Sequence, residues 1–293
     1  MSRHPYRADL LLLLAAAIWG STFVAQRLGM ASVGPLTYTG LRFLIGAAAI
    51  LPLSWRRPAS RGEWSAGFVL GLLVAGGVNL QQVGLLYTSV ANAGFITGLY
   101  VVVVPLLGLL VGQRATAGAW LGALLACAGL YLLCVGEAWV AAWGDGLQLA
   151  GTLFWASQML YAARATRRHD PIRLACIQFA ACGALSLVPA LAFEPQGAAA
   201  TWQAMPAILY GGLLSVGCAY TLQLVAQRDV LTAHAAVIMS LEGVFAALAG
   251  WAVLGQTLST RALAGAGLMI LAQVVVQLWR AEPPPAAAPQ PAR

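Results

Sequence analysis

The sequence predicts an all-α integral membrane protein of about ten transmembrane helices, forming two inverted-topology five-helix repeats. Apolar residues make up 60% of its 293 residues and charged residues 9%, whereas soluble domains carry about 25% charged residues. The apolar residues fall in runs of about 20, the length an α-helix needs to cross a hydrocarbon core of about 30 Å. These runs lack the period-two alternation of barrel strands, and helices satisfy every backbone amide inside lipid.

Runs bounded by Gly, Pro or charge place five helices at residues 9–25, 35–53, 64–86, 90–112 and 116–136. Five more follow at 146–165, 171–193, 204–226, 232–255 and 261–278. Arg3 and Arg7 ahead of Leu10 resemble a secretory signal, but apolar character continues through Trp19 and Phe23, so the segment reads as a retained first helix. Pro105 is expected to bend the fourth helix. Gly94/Gly98, Gly108/Gly112 and Gly118/Gly122 have the spacing that lets helices approach closely. The stretch after Arg280, rich in Pro and Ala, reads as a disordered cytoplasmic tail over 281–293.

The net charge of +7 comes from sixteen basic residues, all Arg, set between apolar runs instead of in a stripe, which argues against a nucleic-acid partner. With the N-terminus cytoplasmic, thirteen of them fall on that side and only Arg27 and Arg261 on the other. Both termini are therefore expected in the cytoplasm. The acidic loop at 137–145 suits the outer side and an even helix count. All five cysteines lie inside apolar runs without CxxC pairs, and no cofactor or metal is expected.

Residue matches point to a duplication, with repeats at 1–140 and 141–280. The stretch ending Trp19-Gly20-Ser21 pairs with that ending Trp155-Ala156-Ser157, and Ala91 to Ile96 pairs with Ala233 to Ile238. At the latter offset Gln81 falls on Gln223. Inverted repeats are a transporter signature, with the substrate site near mid-bilayer where the repeats meet.

Several stretches carry a wider likeness. They are Ile18 to Phe23, Leu41-Arg42-Phe43, Gly94 to Leu106, Ala226-Gln227-Arg228 and Ser240 to Ala247, in order through both halves. On these the chain resembles the EamA-type drug/metabolite transporter (DMT) superfamily, and within it is similar to the YddG-like amino-acid exporters. The resemblance implies a bacterial inner-membrane carrier exporting amino acids or related small metabolites. It departs from the family pattern at Gly243, where members often carry Pro, and at Gln113 and Gln256, where they often carry Glu.

The residues themselves nominate a cavity. Glu242 stands about 15 Å deep in the ninth helix, and an acid there is a candidate proton carrier or partner for a substrate amine. The alternative is a structural carboxyl bonded to a neighbouring helix. His234, Ile238 and Glu242 share one helix face, which the repeat maps onto Asn92, Ile96 and Tyr100. Trp19, Thr22 and Gln26, and Trp155 with Gln158, suit a pocket of aromatics and amides; packing is the simpler alternative. Asn79, Gln81, Gln82 and Gln223 are too many amides to face lipid. Arg42 reads as structural.

These features favour a secondary carrier with alternating access, its partners being a small-molecule substrate, the lipid bilayer and protons. Cationic drugs or other metabolites are the alternative cargo. An intramembrane enzyme is the rival class, but one deep acid and no HExxH leave it without ingredients. No P-loop supports ATP-driven transport.

Overall fold

The computed structural model describes residues 6–54, 58–88, 90–135, 142–195, 197–255 and 258–279. The expected tail at 281–293 lies outside the described residues, which contain no strand. The first five passes are α1 (Arg7–Gly29), α2 (Pro35–Ser54), α3 (Arg61–Gly84), α4 (Val90–Gly98) with α5 (Tyr100–Leu110), and α6 (Ala117–Cys134). The remainder are α7 (Trp143–Ala165), α8 (Pro171–Phe193), α9 (Ala198–Tyr210) continued by a π-helical segment (Gly211–Tyr220) and α10 (Thr221–Ala226), α11 (Thr232–Ser240) with α12 (Glu242–Leu254), and α13 (Thr260–Leu278).

Among the described residues, nine passes are both long and apolar enough to cross a membrane. The tenth, α7, spans 23 residues but carries Gln148, Thr152 and Gln158. Large apolar side chains such as Leu110, Val188, Leu191 and Trp202 face outward, the surface lipid requires.

Boundaries move where capping chemistry overrides the apolar run. The third helix starts at Arg61 instead of residue 64 because Ser60 and Glu63 form a capping box. Ser60 Oγ accepts from Glu63 N at 3.2 Å, and Glu63 Oε2 from Ser60 N at 2.8 Å. The fourth pass does break, but at Leu99 and not at Pro105, which sits inside α5. The matching ninth pass breaks at Leu241 although α12 contains no proline, so such a break does not require Pro105. Gly112 is no helix contact either. It ends the pass at φ 75°, and a Cβ built there would meet nothing within 4 Å.

α6 packs on α13, α2 on α8, α3 on α7 and α8, and α1 on α12 and the π-helical segment. The helix ends sort into two faces. At one, Arg173 pairs with Glu63, Thr232 bonds to Gln113, and Gln277 bonds to Asp9, so the first and last helices meet there. This face also carries Arg114, Arg164, Arg167 and Arg168 and is termed the Arg-rich end. At the other, Thr88 bonds to Asp145, and Glu194 accepts from Leu36 N (2.9 Å), Thr37 N (2.8 Å) and Thr37 Oγ1 (2.8 Å).

Candidate substrate cavity

A cavity lies at the centre of the bundle, lined by aromatic, amide and charged side chains. Its walls come from most of the passes. Trp19, Phe23 and Gln26 project from α1, Arg42 from α2, Val78 and Gln81 from α3, Thr97 from α4 and Tyr100 from α5. Trp155, Gln158 and Met159 of α7, Ser215 and Tyr220 of the π-helical segment, Gln223, Met239 and Glu242 complete it.

Tyr220 is the centre of an aromatic group. Trp155 stacks on it at 6.1 Å and 23°, Trp19 meets it edge-on at 4.7 Å, and Phe43 and Phe179 pack behind. Trp19 Nε1 donates to Ser215 O at 3.2 Å, anchoring α1 to the π-helical segment. π-helical turns within a longer helix are frequent at functional sites. This one ends at Tyr220 and turns that ring inward.

The amides are organised into two chains. Gln81 Nε2 donates to Thr97 Oγ1 (3.1 Å), which donates to Gln148 Oε1 (3.2 Å), and Gln148 Nε2 donates to Gln81 O (2.9 Å). Gln223 Nε2 donates to Gln158 Oε1 (3.2 Å), whose Nε2 donates to Gln178 Oε1 (3.4 Å). Such chains satisfy buried amides and hold their side chains in place. Four lining groups stay buried without a well-aligned protein partner: Trp155 Nε1, Gln223 Oε1, Arg42 Nε and the Tyr100 hydroxyl. Glu242 lies beside Tyr100, placed to accept its hydrogen.

Two opposite charges reach this one cavity. Glu242 opens α12, just past the break at Leu241, and Arg42 comes from α2 with 3% of its surface exposed. Tyr38 and Phe43 flank the guanidinium, whose carbon lies 5.3 Å and 5.4 Å from their ring centres. Among the described residues no group of three or more His, Cys, Asp or Glu gathers to hold a metal.

Trp19, Gln81, Tyr100, Trp155, Gln158, Gln223 and Glu242 thus come together. Other nominated residues do not. His234 lies at the Arg-rich end with Nε2 3.2 Å from Asp9 Oδ1, both side chains buried. It stands about two turns before Glu242, so their shared helix face does not bring it to the cavity. Thr22 turns back onto Ile18 O (2.6 Å), and Asn79 Nδ2 donates to Ser186 Oγ (2.8 Å), each serving packing away from the cavity. The Asn92 side chain lies outside the described residues. Several lining residues escaped the sequence reading of the site, Arg42 and Tyr220 among them. Arg42 was legible as a charge in a helix, and Tyr220 stands one turn before Gln223 on the same face.

Two further pockets adjoin the cavity, one through Phe23 and Gln26 and one through Phe23 and Glu242. Phe23 and Gln26 also line an opening towards the Arg-poor end with Arg27, Leu85 and Thr88. In the other direction Leu12, Val104, Met159, Ile238 and Met239 pack into a buried apolar plug.

A multi-pass membrane protein with a central polar cavity has the build of a carrier. A sequence profile of the EamA-like transporter family matches residues 6–135 and again 142–278, and the chain belongs to that family. Relatives span nearly its full length. A transporter of Archaeoglobus fulgidus is 34% identical over 92% of this chain and 86% of its own. The inner membrane transporter YedA of Escherichia coli is 30% identical over 90% and 88%, and the threonine/homoserine exporter RhtA of Escherichia coli 28% over 90% and 89%. A solved crystal structure shares the fold at TM-score 0.77 and 22% identity, over 92% of this chain and 96% of that one. The chain is a membrane transporter and not an enzyme.

Proposed function

We propose that this transporter exports amino acids, binding them as zwitterions in the central cavity. The observation that carries this is the presence of Arg42 and Glu242 on the walls of one cavity. Arg42 takes the α-carboxylate, Glu242 the α-ammonium, and the Trp19, Trp155 and Tyr220 rings the side chain. Cationic drugs and carboxylate-free metabolites leave Arg42 as an unpaired buried charge, an unfavourable complex. The export activity in the name of RhtA supports the same reading.

Access alternates between two five-helix repeats, at 1–140 and 141–280, related by inverted topology. In support, the family profile matches twice, and the pairs Trp19/Trp155, Gln81/Gln223 and Tyr100/Glu242 all line the cavity. Both termini lie in the cytoplasm and the protein sits in a bacterial inner membrane, in keeping with the clustered arginines and with YedA. Glu242 is the site for a coupled proton.

The test is flux of a labelled amino-acid panel into liposomes holding the purified protein, with and without a pH gradient, alongside Arg42→Gln and Glu242→Gln. Saturable flux lost in both variants is expected. Absence of flux from folded protein for every amino acid sinks the assignment, and unchanged gradient dependence in Glu242→Gln removes that residue as the proton site.

A further inference from the structure

A second cavity opens at the Arg-rich end below the apolar plug, between α5, α7 and the start of α11. Arg114 lines it from the α5–α6 loop, and Arg164, Arg167 and Arg168 from the end of α7. Among the described residues none of these four guanidinium groups forms an ion pair, and Arg167 Nε is buried without a hydrogen-bond partner. No carboxylate lines the cavity. The nearby acids are committed: Glu63 to Arg173 and Ser60, Asp170 to the backbone of Ile172 and Arg173, and Asp229 is engaged as well. Thr232 Oγ1 donates to Gln113 Oε1 at 3.1 Å, leaving the Gln113 amide hydrogens as further donors on the wall.

A preference for Arg on one side of a membrane accounts for their number and not for their convergence on one concavity. Arg114, Arg164 and Arg168 are exposed to solvent, whereas Arg167 Nε on the same wall is buried, and the carbonyl ends of α5 and α7 offer only partial charges of about half a unit each. A carboxylate or a phospholipid's phosphodiester brings one negative charge and a phosphate monoester up to two, and phosphate oxygens match the guanidinium fork. We propose that this cavity is a second binding site, separate from the cargo cavity, that takes the phosphate of an anionic phospholipid headgroup or of a free phosphate ester.

The experiment uses the full chain in phosphatidylcholine nanodiscs, reading the melting temperature. One arm adds inorganic phosphate, a second replaces part of the lipid with phosphatidylglycerol, and a chloride control matches ionic strength. A saturating rise of about 3 °C over chloride is expected in at least one arm. Phosphate alone acting identifies the soluble source, and phosphatidylglycerol alone the lipid. Arg164→Gln/Arg168→Gln, at two exposed positions, is expected to lose the response while melting without anion at or above the wild-type temperature, because mutual repulsion falls. Arg114→Gln, on a different element, checks the same loss. The proposal is overturned if neither arm exceeds chloride, or if the variants respond as wild type does.

Discussion

Trp19 Nε1 donates a 3.2 Å hydrogen bond to the carbonyl oxygen of Ser215, tying the first helix to the π-helical segment 196 residues later. The same indole meets Tyr220 edge-on at 4.7 Å, so one side chain both anchors the wall and forms part of its surface. Trp19→Phe keeps the ring and removes the donor. A neutral hydrogen bond is worth about 1 kcal/mol, so half-saturation of flux is expected to rise about 5-fold. Trp19→Ala also loses the aromatic contact, and a further rise of about 5-fold is expected. Identical kinetics in Phe, Ala and wild type would remove Trp19 from the site.

The charges at Arg42 and Glu242 predict a pattern across cargo analogues. Wild type is expected to reject the decarboxylated amine and the deaminated acid of any amino acid it carries. Arg42→Gln should lose discrimination against the amine, and Glu242→Gln against the acid, each by about 10-fold or more. Binding of the amino acid and its two analogues to the purified proteins, read by the rise in melting temperature, checks this, and equal loss for both analogues in both variants would point to a structural role.

Gly77 and Gly20 separate cargo binding from folding. A Cβ at Gly77 would stand 3.0 Å from Trp155 Cε2 and 3.1 Å from Cδ2, so the ring must shift by a few tenths of an ångström. Gly77→Ala is expected to weaken cargo binding while leaving thermal stability near wild type. At Gly20 the obstacle is backbone, with Glu242 O and Ala246 N both 2.7 Å away, so Gly20→Ala must push α1 off α12. Both melting temperature and flux should fall. If the two variants behave alike, the distinction between ring and backbone contact fails.

Arg173 Nη2 and Nε reach Glu63 Oε1 at 2.6 and 2.8 Å, while Glu63 Oε2 holds the α3 cap. The side chains are 21% and 6% exposed. Arg173→Ala strands this carboxylate and is expected to cost about 2–3 kcal/mol, somewhat below the range for fully buried pairs. Glu63→Gln, which leaves no unpaired acid, should cost less. Denaturation in detergent checks the order, and a reversed order would show that the cap outweighs the ion pair.

Much was legible in the chain itself. Nearly every pass follows from runs of apolar residues, because a helix in lipid needs only length and hydrophobicity. Membership of the transporter family was readable from Ile18 to Phe23 and Gly94 to Leu106. Seven cavity residues were readable as polar or aromatic groups too deep for lipid, Trp19 and Gln223 among them. What the chain left open depends on rotation and contact between helices. His234 stands about two turns before Glu242 and pairs with Asp9 at the Arg-rich end, so a shared helix face did not bring it to the cavity. Thr22 looked like a cavity residue until packing folded its hydroxyl onto Ile18 O. Arg42 looked structural, and only the approach of α2 to the π-helical segment sets its charge in one cavity with Glu242. Sequence thus determined which segments enter the membrane and which polar groups they carry, since both follow from transfer energy along a single chain. Tertiary structure decided which of those groups meet, since that depends on close packing between helices far apart in sequence.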